Sequence, residues 1–335
     1  MKDKAIILLL LLALVALLAA NLYWGSVHIP SRAVTDILLG RESQRPAWHF
    51  ILWENRIPQA ITAIFVGSGL AAAGLMLQTV FRNPLAGPSI LGIDGGANVG
   101  VAVAMLLLGG SLTTATFSLG GFALVIISAM VGAWMIMAIL LACSRVLRSN
   151  TMLLITGVMI GYLTSSAIAL LNYGATEEGV RSFMVWGLGS FANVTIDRLP
   201  AFVTTMATGI IAALLLIKPL NALLLGERYA TNLGINVQRT RTALLLVTGL
   251  LTATSTAFCG PIAFVGLAVP HIARLLLGTA DHRTLLPATL LTGGCLTLIC
   301  NLLSTLPSGS IIPINVITPI LGAPIVIWVI MKQSN

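Results

Sequence analysis

Charge is scarce in this sequence: only 8% of its 335 residues are Asp, Glu, Lys or Arg, and only 10 are acids. A soluble chain of this length carries about a quarter of its residues as charges, so a soluble protein is excluded. Cysteine is sparse as well. Cys143, Cys259, Cys295 and Cys300 show no C-x-x-C spacing and fall within or at the ends of apolar runs, where they read as small apolar residues. The 4 histidines are scattered, so no metal site is expected. No G-x-x-x-x-G-K-[ST] stretch occurs, so ATP, if used, is held by another chain. A membrane-embedded enzyme would need a convergent set of nucleophile, base or metal ligands, and the sequence offers none.

Long apolar runs fill the chain instead. Ten segments approach the about 20 residues a spanning helix needs, at 5–24, 57–79, 90–109, 118–142, 152–173, 199–217, 240–259, 262–278, 285–306 and 311–331. The run at 262–278 is short for a span. A membrane β-barrel would show alternating polarity over about ten residues at a time. The expected class is therefore an all-α polytopic membrane protein, a single transmembrane domain over 1–335. The first run also fits a signal peptide, with Lys2 and Lys4 ahead of it, but an uncleaved first helix is the expectation. Numbered from a cytoplasmic N-terminus, 12 of the 18 Lys and Arg fall inside, as the positive-inside rule requires. The formal charge of +8 thus reports topology and not a nucleic-acid partner.

Three loops stand out. The outer segment from Gly25 to Arg56 carries "VHIPSRAVTDILLG", which reads as a short amphipathic element lying along the membrane surface. A second outer segment, Ala175 to Arg198, contains "MVWGLGSF". The longest inner loop, 218–241, is expected to form two short helices broken at Gly226, the first with Leu220, Leu223 and Leu224 on one side. Spans two to five and seven to ten each begin with a small-residue helix followed by a Gly/Pro break and a shorter helix, the mark of an inverted repeat. In the first of these breaks, "FRNPLAGPSILGIDGG", Pro84 and Pro88 stop the helix, and Gly92, Gly96 and Gly100 recur at a spacing that lets a neighbouring backbone approach. Asp94 reads either as a helix N-cap or as a functional intramembrane acid. His271, after Pro270, has no acid or second His one turn away and reads as a structural, hydrogen-bonded group.

The stretch "RIPQAITAIFVGSGLAAAGLMLQTVFRNPLAGPSILGIDGGA" resembles the FecCD family of bacterial ABC importer permeases, which take up ferric siderophores, haem and vitamin B12. The likeness continues through "WGLGSF", "LNALLLGERYATNLGINV", "GPIAFVGLAVPHIARLLLGTADHR" and "PINVITPILGAPIVIWVI". It implies a permease dimer, homo- or heteromeric, two ATPase subunits carrying ATP and Mg, a periplasmic binding protein, and a bacterial inner-membrane location with both termini cytoplasmic. The chain would then be no enzyme, and would move substrate by alternating access. The resemblance places ATPase coupling on Leu223, Leu225, Gly226, Glu227, Ala230, Leu233 and Gly234. It places the cytoplasmic gate at Asn150 and Thr151, with Ser165, Ser166 and Asn172 on the pathway helix. Arg82, Asn83, Pro84, Gly92, Gly96, Pro270 and His271 belong to its structural motifs. Arg56 would help dock the binding protein, while Gln59, Asn301, Thr305 and "IIPIN" (Ile311 to Asn315) depart from the family pattern on that side. The competing reading is an ion-coupled secondary transporter with inverted repeats, for which Asp94 is the sole candidate coupling acid.

Overall fold

A helix rich in small residues can be approached closely by its neighbours, and the chain builds itself around one. In the computed structural model, which describes residues 2–41, 45–109, 111–113, 118–147, 149–305 and 311–333, α1 (Lys2–Tyr23) leads to two short helices, α2 (Ser31–Leu38) and α3 (Pro46–Phe50). A π-helical turn, Ile51–Arg56, joins α3 to α4 (Ile57–Phe81). Then follow α5 (Ile93–Ala102) with a π-helical extension Val103–Leu107, a three-residue antiparallel pair (β1, Ser111–Thr113; β2, Ser118–Gly120), α6 (Gly121–Val146) and α7 (Asn150–Tyr173). The second part contains α8 (Glu177–Gly187), α9 (Leu199–Leu215), α10 (Ile217–Leu224), α11 (Glu227–Asn232), α12 (Val237–Cys259), α13 (Val265–Leu277), α14 (His282–Thr305) and α15 (Ile314–Gln333).

Each of the ten apolar runs holds a helix, but not all are long. Among the described residues 6 helical segments have the length and composition to cross a membrane, and α9 with α10 forms a further one bent by 49°. Ile93–Leu107, Val265–Leu277 and Ile314–Trp328 are shorter. With 13 residues, α13 spans only ~20 Å. α4 is the axis, buried along nearly its whole length against α14, α12, α13 and α9. Glycine makes this packing possible: Gly67 meets Gly293 of α14, and Gly74 meets the Gly266 carbonyl of α13, each leaving no room for a Cβ. Pro270 has no N–H for that carbonyl to accept, so Gly266 is freed to face α4.

The repeat is visible in the packing. α5 packs on α6 and on α7 as α13 packs on α14 and on α15; α4 meets α14 and α13 as α12 meets α6 and α5. Exchanging α4–α7 with α12–α15 maps each of these contacts onto another. Both short helices also start from a left-handed residue, Gly92 at φ 74° and Phe264 at φ 67°. Glycine adopts that conformation freely, whereas phenylalanine loses about 1–2 kcal/mol there. Gly322 of α15 leaves the space the Phe264 side chain occupies.

One local expectation is corrected. The apolar residues of α2, Val34 and Ile37, are buried with Ile29 and Leu52 in a cluster of the chain's own making. The element therefore packs inward and does not present that face to lipid.

Candidate coupling and transport site

The first break, between α4 and α5, is a junction in which each motif residue holds a different neighbour. α4 runs to Phe81, and Arg82 ends it in the left-handed conformation, φ 48°. The Arg82 guanidinium donates to the Leu223 carbonyl at 3.2 Å, at the C-terminal end of α10, where a cation is favoured. Asn83 folds the turn by accepting from the Leu85 N–H at 2.9 Å. The Pro84 carbonyl accepts from His271 Nε2 at 2.8 Å, so the imidazole of α13 is spent on structure. Gly96 and Gly100 press against α6, at Gly132 and Ser128, while Gly92 serves as the N-cap.

The 218–241 segment sits on this junction, on what is here termed the basic face. It contains α10 and α11, separated by Gly226 at φ 119°, ψ 152°, a region essentially closed to other residues. Of the residues expected to meet a partner, Leu223 and Ala230 are buried inside the chain's own core and are not available. Leu225 and Leu233 are exposed, and Leu224 and Tyr229 join them as a surface apolar set, with Gly234 open beside it. The leucine spacing groups Leu220, Leu223 and Leu224 on one side of α10; in the fold Leu220 and Leu223 are buried and Leu224 is exposed.

Glu227 is the chemical centre. One of its carboxylate oxygens, Oε1, accepts from Arg241 at 2.9 Å and from the Asn150 amide at 2.9 Å. The Arg241 side chain is 5% exposed and that of Glu227 is 42% exposed, so the pair straddles the protein surface. The Asn150 amide also donates to the Val80 carbonyl at 2.9 Å. The first residue of α7 is thus clamped between the last turn of α4 and the first residue of α11. Arg82, Asn150, Gly226, Glu227, Arg228 and Asn232 line an open cleft of about 680 Å³ there. A second clamp holds α10. Asn221 donates to Asp281 at 2.6 Å and accepts from the backbone N–H and Nδ1 of His282, whose Nε2 lies 2.9 Å from Thr79 of α4. The Arg283 N–H and the Asn221 amide hold the exposed Asp281 carboxyl below its usual range.

α7 is the least covered of the interior spans. Thr151, Ile155, Met159, Tyr162, Ser166, Leu170 and Tyr173 are exposed and recur every three or four residues, which puts them on one face. Ser165 is exposed beside them, whereas Asn172 is half-buried off this stripe. Thr156 and Thr164 turn their hydroxyls back to their own helix, on the Met152 and Gly161 carbonyls.

On the opposite face the geometry differs from expectation. Arg56 is only 6% exposed, and its guanidinium donates to the carbonyls of Leu22, Tyr23 and Val27. It closes the end of α1 and is not presented to a docking partner. Gly25 gives it room, since a Cβ there would lie 3.0 Å from Nε. Asn301 is buried and donates to Asn21 of α1 at 2.8 Å. Asn315 joins three segments: its N–H donates to Leu188, its Oδ1 accepts from the Ala263 N–H, and its Nδ2 donates to Gly187. These departures from the resembled pattern are internal fasteners. Asp94 is no N-cap either; its carboxylate accepts from Ser89 at 2.6 Å and from Thr256 of α12 at 3.0 Å, beside a cavity of about 250 Å³ between the two chain breaks.

Comparison with known proteins matches residues 10–332 to the model of the FecCD transport family. The hemin transport system permease protein HmuU of Yersinia pestis is 35% identical over 98% of this chain and 95% of that protein. The vitamin B12 import system permease protein BtuC of Salmonella arizonae is 36% identical over 85% of this chain and 84% of that protein. A solved structure, described as an inward-facing conformation of a metal-chelate type ABC transporter, superposes with a TM-score of 0.86 at 30% identity, covering 98% of this chain and 99% of that one.

Proposed function

This chain belongs to the FecCD transport family, and on that premise we propose that it is the membrane-spanning permease subunit of an ATP-driven importer for a ferric siderophore, haem or cobalamin. In this reading it lies in a bacterial inner membrane with both termini cytoplasmic. It pairs with a second permease, homo- or heteromeric, through the uncovered face of α7, and receives substrate from a periplasmic binding protein. It binds no cofactor; ATP and Mg belong to two separate ATPase subunits, which seat on Leu224, Leu225, Tyr229 and Leu233.

The observation that carries the proposal is the shared Glu227 oxygen. A displacement of α10 and α11 by a soluble subunit acts on Glu227, and through it on Asn150 and the start of α7. Coupling segment and pathway helix are joined by one carboxylate, which is what alternating access driven from the basic face requires. The uncharged hydroxyls Thr151, Ser165 and Ser166 suit a conduit that passes a chelate without holding it. The test is reconstitution of the purified complex in vesicles, with ATP inside or absent. Uptake should require ATP hydrolysis. Uptake driven by a proton or sodium gradient alone would instead favour a secondary transporter using Asp94.

A further inference from the structure

A groove on the outside of α1 changes character along its length. Ala16, Ala19, Ala20 and Tyr23 fall on one face of the helix, since they are spaced by three or four residues. The exposed residues earlier on the helix, Leu8, Leu9, Leu11, Leu12 and Val15, are bulky, so the alanines form a trough in an otherwise leucine-rich surface. Across it runs the segment His28–Arg32, and together they enclose about 800 Å³. From Ala16 to Trp24 is ~12 Å along the helix.

The groove is held in place. The three bonds from Arg56 to the carbonyls of Leu22, Tyr23 and Val27 fix the path of the segment. Ile29 is buried beneath it, and the Tyr23 hydroxyl lies 3.0 Å from Thr35, tying α2 to α1. Its two ends differ in chemistry. The alanine end opens on the outer face of α1, where Leu8, Leu9, Leu11, Leu12 and Val15 are exposed. The other end carries Trp24, 60% exposed, with His28, Ser31 and Arg32. Tryptophan is the residue favoured at the level of lipid headgroups. No carboxylate lines the groove, and Asp36, one turn beyond Arg32, is engaged by Arg41 at 3.2 Å. Among the described residues the Arg32 side chain makes no hydrogen bond or ion pair.

We propose that this groove is a binding site for one anionic glycerophospholipid, its acyl chain in the Ala16–Ala20 trough and its phosphate on Arg32 and His28. The charge selects an anionic headgroup, and continuity with the membrane-facing side of α1 selects a lipid over a soluble phosphate. A second copy of this chain is the competing occupant, and the self-association readout separates it from lipid.

The test is native mass spectrometry of the full chain, stripped of lipid and then titrated with phosphatidylglycerol or phosphatidylcholine of identical acyl chains. One phosphatidylglycerol should bind per chain, with about fivefold or greater preference over phosphatidylcholine, as one basic side chain at a membrane surface supplies. Arg32→Glu should abolish the preference and Arg32→Lys should keep it. Ala19→Leu, which fills the trough without touching charge, should weaken retention of both lipids. Each variant must elute as the wild type does on size exclusion, and the Lys variant guards against misfolding as the cause. Equal affinity for the two lipids, or retention unchanged in both Arg32→Glu and Ala19→Leu, overturns the proposal. So does competition by millimolar inorganic phosphate alone, or a loss of self-association in Ala19→Leu with lipid retention intact.

Discussion

Glu227 serves two masters with one oxygen, and its substitution separates them. Glu227→Gln keeps an acceptor for Asn150 but leaves the buried Arg241 without a counter-charge. Hydrogen bonds to charged groups contribute about 1.5–3 kcal/mol, so the start of α12 should loosen by an amount of that order. The expected outcome is a folded permease in which ATP hydrolysis persists while transport per ATP falls severalfold. That is measured by coupled phosphate-release and uptake assays on vesicles, and tight coupling in the variant would refute the role. Asn150→Asp should be worse, since it brings a second carboxylate against the first. Arg56 makes the contrasting case. Because it bonds three carbonyls at the end of α1, Arg56→Ala should lower the melting temperature in detergent by several degrees. A variant with unchanged melting but slowed association of the binding protein would return Arg56 to the docking surface. Sequence reading picked out Arg56 and Glu227 as charges of interest but did not show their intrachain partners, the carbonyls at the end of α1 and the Asn150–Arg241 pair. A charge in a hydrophobic chain is conspicuous in one dimension; whether it faces out or closes a helix end is set by residues 30 positions away, such as Leu22 and Val27.

Helices were far more legible than what they do at their ends. Apolar length located all ten, and the glycines and prolines at 82–92 and 260–264 marked both breaks, because hydropathy and φ preference are local properties. The surface of α10 and α11 was legible only in part. The expected contact residues Leu223 and Ala230 point into the core, and Leu224 and Tyr229 point out, since the turn at Gly226 rotates one helix against the other. That rotation is the basis of a prediction. Gly226→Val forces a β-branched residue into a glycine-only conformation, at about 1–3 kcal/mol of strain, relieved by re-aiming α11. The permease should remain monodisperse while the ATPase no longer co-purifies. Retained co-purification at wild-type stoichiometry would show that the angle between α10 and α11 is unimportant. The helix pairs built on glycine should behave oppositely: Gly67→Leu or Gly293→Leu drives a side chain into the facing backbone, and both should abolish the folded, monodisperse species on fluorescence size exclusion.

At the scale of the whole chain, the expected ten-span arrangement would assign each loop a side. Single cysteines at Arg45 and Glu178 should react with an impermeant maleimide from outside intact cells, and those at Arg82, Arg228 and Arg283 only after permeabilisation. Labelling of 82 and 228 from opposite sides would dismantle the topology. Of the native thiols Cys259, Cys295 and Cys300 are buried, and the half-buried Cys143 is replaced by serine in the background. The inverted repeat was readable as a rhythm of long helix, break and short helix, yet its content lies in which helices touch, which no local pattern encodes. That content also has a consequence for synthesis. α5 is too short to be a comfortable span by itself, and Asp94 near its start finds one of its hydrogen-bond donors, Thr256, some 160 residues later. The glycine face of α4 waits as long for α13 and α14. A ribosome-bound chain that has emerged only through α7 therefore holds a half-buried acid without its second donor and a central helix without its α12–α14 neighbours. The first half alone should therefore hold α5 less firmly in the membrane than the whole chain does, because some of the contacts that fix it come from α12.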